Sequence, residues 1–241
     1  MMIQKDQPTI FGGDVTVAVS SIDDGNMKFG INSSDDVAGN RRRFLKSAGF
    51  DIAHTTLVRV IYDTNDFAKY RIVTHHDKNA GMETNNTADF ADALVVDQPN
   101  HALFLALADC VGVIFYDPAK QVLMVSHLGR HSVEVDGGRK SVEYLTQEFG
   151  VVPGDLCVWL SPAVGNASYP LDKFDGKSLH EVIISQLDAA GVASQHIEAS
   201  SVNTAIDPNY FSHSEYLKDG SQPNGRFAIV AMMTEQGEPA A

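Results

Sequence analysis

The sequence predicts an α+β protein folded as one domain over residues 1–241. Nine strand-like apolar stretches outnumber three amphipathic helical ones, the two kinds do not alternate strictly, and no Pro, Gly or Ser linker divides the chain. With 44% apolar and 20% charged residues, the 241-residue chain has the material for one large core and needs no covalent staples.

The elements follow in order. Ser34 or Asp35 is placed to cap a first helix with Val37, Phe44, Leu45 and Ala48 inward, and Gly49 ends it. A second helix is expected from near Asp136 to Phe149, with Val142, Leu145 and Phe149 at helical spacing and Gly150 as terminator. A third is expected from about Asp175 to Ala190, burying Leu179, Val182, Ile183 and Leu187 before Gly191. Strands are expected over 15–19, 57–62, 71–73, 93–96, 102–107, 111–116, 122–126, 156–160 and 227–232. Residues 1–8 and 235–241 are expected to be flexible.

Charge and cysteine usage narrow the function. A formal net charge of −13, from 18 Lys and Arg against 31 Asp and Glu, argues against a nucleic-acid partner. Arg41-Arg42-Arg43 is the one local basic run. Cys110 and Cys157 lie far apart and make no disulfide framework, which suits the cytoplasm. The N-terminus lacks a basic patch followed by an apolar stretch, and the longest apolar run, 102–116, is short for a bilayer and holds Asp109, so a membrane role is not expected.

The most informative segment is ADCVGVIFYDPAKQVLMVSHLGRH, from Ala108 to His131, in which two apolar runs flank the turn-forming Asp117-Pro118-Ala119-Lys120. Pairing Tyr116 with Gln121 across that turn would set Cys110 opposite His127. The pair could ligate a metal, form a thiolate–imidazole couple or simply pack. Asp109 in an apolar run must be partnered or functional.

At these residues the chain resembles the laccase-domain, or polyphenol oxidase, family, whose members include zinc-dependent purine nucleoside phosphorylases with adenosine deaminase activity. The family's ADALVT, TADC, HAGWRG, GPAIG and FFSYRRDG…GRFA segments correspond in order to FADALVVDQPN from Phe90, LADC ending at Cys110, HLGRH from His127, SPAVG from Ser161, and YFSHSEYLKDG…GRFA from Tyr210 to Ala228. Upstream, INSSDDVAGNRRRFLKSAGFD resembles the family's LNLG…ENRRRL helix.

The resemblance implies mixed sheets forming a sandwich-like core flanked by helices, as in cysteine hydrolases, and a His-Cys-His zinc site. Cys110 and His127 match two of the ligands, and LVRVIYDTND puts Asp63 where the first His belongs, with His75 or His76 as more distant substitutes. An Asp can ligate zinc through oxygen, whereas a copper site suffers more from the missing His. Cys110 and Asp109 are the implied catalytic residues, and Arg41, Asn32, His131 and Ser212 the implied substrate contacts. Purine nucleoside and phosphate are the implied small-molecule partners, acting on a monomer or small homo-oligomer.

Several positions depart from the family. Trp-Arg of HAGWRG becomes Arg130-His131, a Cys-Thr pair becomes Asn203-Thr204, and the Arg pair of SYRRDG is replaced within His213-Ser214-Glu215-Tyr216. Anion-binding Arg side chains are therefore expected to be depleted around the site, which weakens phosphate recognition. Two readings stand beside the enzyme: a degenerate member with a nucleoside-sized pocket and no turnover, and a metal-free Cys-His thiol enzyme.

Overall fold

A computed structural model describes residues 6–62, 65–84, 87–220 and 222–235. Asp63 and most of both termini expected to be flexible lie outside the described residues. Along the chain the elements are β1 (Val15–Val19), α1 (Val37–Ser47), β2 (Thr55–Leu57), β3 (Tyr70–Ile72), β4 (Ala93–Val96), β5 (Ala102–Leu107), β6 (Val111–Asp117), β7 (Val122–Leu128), α2 (Arg130–Glu134), α3 (Gly137–Phe149), β8 (Cys157–Leu160), α4 (Leu179–Ala189), β9 (Ile197–Ala199), α5 (His213–Asp219) and β10 (Phe227–Met233).

The strands form two mixed sheets. The smaller has the order β1-β10-β5-β2 and the larger β3-β4-β7-β6-β8-β9. Because side chains alternate along each strand, β6 sends Val113 and Phe115 to one face and Ile114 and Tyr116 to the other. Ile114, Tyr116, Val125 and Trp159 meet Leu103, Leu105, Phe227 and Ile229 between the sheets. Val113, Phe115 and Leu160 pack against Val142 and Leu145 of α3 and Val182, Ile183 and Leu187 of α4. On the far side of the small sheet, Phe104 and Val230 pack against Phe44 and Leu45 of α1. The result is the helix-flanked sandwich.

Both strong apolar periodicities and local caps set the helix ends. Asp36, one residue past the expected pair, caps α1 by accepting the Gly39 N–H at 3.0 Å. The third expected helix begins later, at Leu179, because Asp175 adopts a left-handed φ of 54° and Ser178 forms a capping box with Glu181. Gly150 closes α3 at a φ of 65°.

The hairpin register differs from the sequence expectation. Tyr116 pairs with Leu123, and Gly112, not Cys110, lies opposite His127. The cause is the turn: the Asp117 carboxylate accepts the N–H groups of Ala119 and Lys120 at 2.8 and 3.0 Å, and Gln121 turns through a φ of 52°. Asp117 and Val122 then close a loop over 118–121. A slip of two residues preserves the faces, so His127 still shares a face with Leu123 and Val125. Cys110 sits just before β6.

Burial also couples the fold to pH. His101 is 3% exposed with Nε2 2.8 Å from Thr56 Oγ1, and burial holds its pKa below the ordinary 6.5. The folded ring therefore stays neutral where the unfolded ring gains a proton, so its stabilising contribution is present above the unfolded pKa and is lost as pH falls. Denaturant midpoints are expected to drop between about pH 7 and about pH 5, and to drop less in His101→Gln.

Candidate functional site

The site lies at the end of the inter-sheet layer, where β7 runs out just past His127, at Leu128, and the chain turns into α2. Just below it the sheets close tightly: a Cβ on Gly112 would stand 2.4 Å from Ile229 Cδ1 and 3.3 Å from Leu105 Cδ2. Only glycine fits there. Above it, a Cβ on Gly129 would stand 2.8 Å from Cys110 Sγ and 3.3 Å from His127 Cε1. The thiol and imidazole thus flank one point, brought together by two glycines and the turn before β6.

Asp109 makes that turn. It adopts a left-handed φ of 73°, which Asp tolerates better than most residues. Its Oδ1 accepts the Thr204 hydroxyl at 2.8 Å, its Oδ2 accepts the Ser214 N–H at 2.6 Å, and its carbonyl accepts the Val164 N–H at 3.1 Å. This carboxylate, implied above as catalytic, is engaged in holding three segments together and does not line the cavity.

Cys110 and His127 open into a cavity of about 400 Å³. Tyr62, Phe67 and Tyr169 give it aromatic walls. Phe67 stacks on His131 with ring centroids 4.8 Å apart, and the Arg130 guanidinium lies 4.3 Å from the Tyr169 ring centre. Tyr62 places its hydroxyl 3.3 Å from His127 Nε2. Among the described residues, His127 Nδ1 and His213 Nδ1 are buried with no hydrogen-bond partner.

Burial pushes the Cys110 thiol up to about 12, with the Asp109 charge adding to it, and pushes His127 down to about 4, with Lys28 adding to it. Both groups rest neutral. That order opposes the thiolate–imidazolium couple a metal-free thiol enzyme needs. A thiolate and a neutral imidazole are also the forms a metal binds. The donor chemistry of Cys110 and His127 fits zinc. Among the described residues no three His, Cys, Asp or Glu side chains converge as a metal set, so these two are the donors found together.

The other expected contacts fall in different places. His131 lines the cavity. Arg41 is 1% exposed and spends its guanidinium on the Met27, Gly81 and Met82 carbonyls at 2.8, 2.7 and 3.2 Å. Asn32 is exposed and donates to Asp35 and the Asn224 carbonyl. Ser212 is buried and caps α5 at the Glu215 N–H. His75 and His76 are exposed and lie outside the cavity lining. Cys157 packs from β8 beside the inter-sheet core.

One expectation is corrected. Cations are not depleted here, since Lys28, Arg130 and Arg226 all line the cavity. Arg226 belongs to the GRFA segment and Arg130 stands at the Trp position of HAGWRG, so both were visible as residues. Lys28 had no local signal. It is set beside Arg226 by Asn26, whose Oδ1 accepts both the Lys28 and Arg226 N–H groups at 3.1 and 3.0 Å. His213, Tyr62, Phe67 and Tyr169 were likewise not recognised as wall residues.

This arrangement defines a laccase-domain fold with a Cys-His pair beneath an aromatic and cationic cavity. The chain matches the family described as "Multi-copper polyphenol oxidoreductase laccase" over residues 14–176, and it belongs to that family. It is 28% identical over 169 residues to "Purine nucleoside phosphorylase YlmD" of Bacillus subtilis, covering 58% of this chain and 60% of that one. It is 25% identical over 146 residues to "Purine nucleoside phosphorylase LACC1" of Homo sapiens, covering 61% and 31%. These matches span less than two thirds of either relative. The crystal structure of YlmD from Geobacillus stearothermophilus superposes with a TM-score of 0.84 at 23% identity, over 95% of this chain and 94% of that one. The Bacillus licheniformis hypothetical protein YfiH superposes with a TM-score of 0.81 at 22% identity, covering 91% and 93%. Among the described residues no helix is long and apolar enough to cross a membrane.

The Asp109 contacts carry a stability prediction. Asp109→Ala strands the Thr204 hydroxyl and the Ser214 amide and is expected to cost about 2–4 kcal/mol of unfolding free energy, read by denaturant titration. A loss well below that range would mean that water replaces the carboxylate.

Proposed function

We propose that the protein is an enzyme of the purine nucleoside phosphorylase type, acting on adenosine or inosine, with adenosine deamination as a further activity of the same site. The observation that carries this reading is the Cys110–His127 pair at the base of a cavity of about 400 Å³ walled by Tyr62, Phe67 and Tyr169. That volume suits a small ligand of nucleoside size. The flat rings suit a purine, which aromatic side chains bind by offset or edge contacts. Relatives named purine nucleoside phosphorylase in bacteria and in human and mouse support the same reading.

Cys110 and His127 would hold a zinc ion, with copper the less suited alternative; Asp63, which the resemblance sets at the third ligand position, lies outside the described residues. When bound, the ion would supply Lewis-acid polarisation at the reacting centre. The chain's own groups do the rest. Tyr62 orients His127 through Nε2. Asp109 fixes the backbone entering Cys110 and the start of α5, and so positions the thiol and His213 rather than moving a proton. His213, with its Nδ1 unpaired, is available to hydrogen-bond the departing base.

Two measurements check this. Zinc-loaded protein with adenosine or inosine and phosphate is expected to release adenine or hypoxanthine and a ribose phosphate, and to convert adenosine to inosine, with Cys110→Ala lower by about 100-fold or more. Product formation equal to that of Cys110→Ala would sink the reading. Metal analysis is expected to find about one zinc per chain, lost in both Cys110→Ala and His127→Ala. A protein that takes up no zinc yet binds nucleoside would instead be the degenerate form.

A further inference from the structure

His213 enters the cavity between two carboxylate anchors. Downstream, Asp109 Oδ2 accepts the Ser214 N–H at 2.6 Å. Upstream, the Tyr210 hydroxyl donates to Asp6 Oδ2, also at 2.6 Å, and both side chains are buried. A hydroxyl that close to a carboxylate makes one of the stronger hydrogen bonds a protein has. Burial, with the Asp6 carboxylate beside it, holds the Tyr210 hydroxyl well above its ordinary pKa, so it remains a donor.

Asp6 belongs to a segment that crosses the molecule before β1. Within it the Thr9 N–H and hydroxyl both donate to Glu198 Oε2 at 2.9 Å, and the Ile10 N–H donates to the same oxygen at 2.8 Å. Glu198 stands on β9, an outer strand of the larger sheet. Phe11 is buried edge-on against Tyr116 of β6, with ring centroids 6.4 Å apart. Residues 6–14 thus form a strap pinned to the larger sheet by Glu198, to the inter-sheet core by Phe11 and to the approach of α5 by Asp6. Apolar contact alone would hold such a strap; a buried carboxylate is a costlier anchor, and it fixes a direction as well as a depth.

What Tyr210 transmits is position. Its ring meets Phe227 of β10 edge to face at 5.1 Å, and the next side chain, Phe211, lies so close to Gly225 that a Cβ there would stand 2.3 Å from Phe211 Cε1. Ser212 then donates its N–H to Gln222 Oε1 at 3.0 Å and accepts the Glu215 N–H at 3.3 Å. Neighbours packed this closely leave no slack between Tyr210 and His213, so a displaced tyrosine moves the imidazole.

We infer that Asp6 and Tyr210 are positioning residues for His213, and that the strap over 6–14 is a working part of the site although it lies outside the cavity lining. The consequence for turnover rests on the reading of His213 as the group that meets the departing base, while the placement of the imidazole stands without it.

Nuclear magnetic resonance of the full chain, with the His213 ring assigned through His213→Gln, tests the placement. Tyr210→Phe, which keeps the ring against Phe227, and Asp6→Ala are each expected to shift the His213 ring resonances and to raise amide exchange over α5 by about tenfold, with α3 and α4 unchanged. Asp6→Asn keeps an acceptor oxygen and should restore most of the wild-type pattern. The double variant Asp6→Ala/Tyr210→Phe should match the single ones, because each removes the same bond. In turnover, kcat for base release is expected to fall about tenfold, with KM for nucleoside moving by less than about twofold. If Asp6→Ala fails to fold, Glu198→Ala releases the strap from β9 and is expected to give the same changes at smaller size.

Unchanged His213 resonances in Tyr210→Phe and Asp6→Ala overturn the inference, as does exchange that rises equally in α3, α4 and α5, the mark of a merely structural bond. Wild-type kcat with a displaced His213 ring overturns the strap as a working part of the site. Shifted resonances in a protein whose wild type releases no base leave the positioning standing and remove the phosphorolytic reading.

Discussion

The site hangs on the buried carboxylate of Asp109. A left-handed turn between β5 and β6 would be a weak point in a core sheet, but here each carboxylate oxygen takes a donor from a different segment, Thr204 before α5 and Ser214 at its start. A charged acceptor holding two donors in low dielectric is stronger than neutral pairs and much costlier to break. The same bonds that stabilise the turn therefore fix where Cys110 enters β6 and where His213 leaves for the cavity. A carboxylate flanking the key cysteine is thus a brace. Its residue type and position look catalytic, and only its partners show the difference.

Much of the fold was legible because it depends on strong local patterns. The strands β1, β4 and β5 begin and end where their apolar runs do, since those runs are buried along most of their length, and β4 along all of it. The expected strand over 57–62 shrank to Thr55–Leu57 because Val60 and Tyr62 leave the sheet to wall the cavity. β9, α2 and α5 have three, five and seven residues, too few for periodicity to declare them. The hairpin register was lost by two residues because Asp117 bonds to its own turn, a contact that depends on backbone geometry.

Site legibility divides the same way. Cys110, His127 and His131 line the cavity, and each stands in a segment whose spacing is local. Arg41 and Asn32 sit in a segment that resembles a substrate-contacting one, yet a guanidinium satisfied by three backbone carbonyls and an amide tied to a loop have little left to offer a ligand. The cations went unrecognised for a different reason. Counting Arg positions lost relative to the family cannot register a Lys delivered from residue 28 by a hydrogen-bonding Asn26.

The cations and the Cys-His pair are also coupled. Lys28 and Arg226 both favour the Cys110 thiolate, and Lys28 disfavours the protonated form of His127. Each effect moves its group toward the state a metal requires. Yet the same positive wall repels a divalent cation placed beside it.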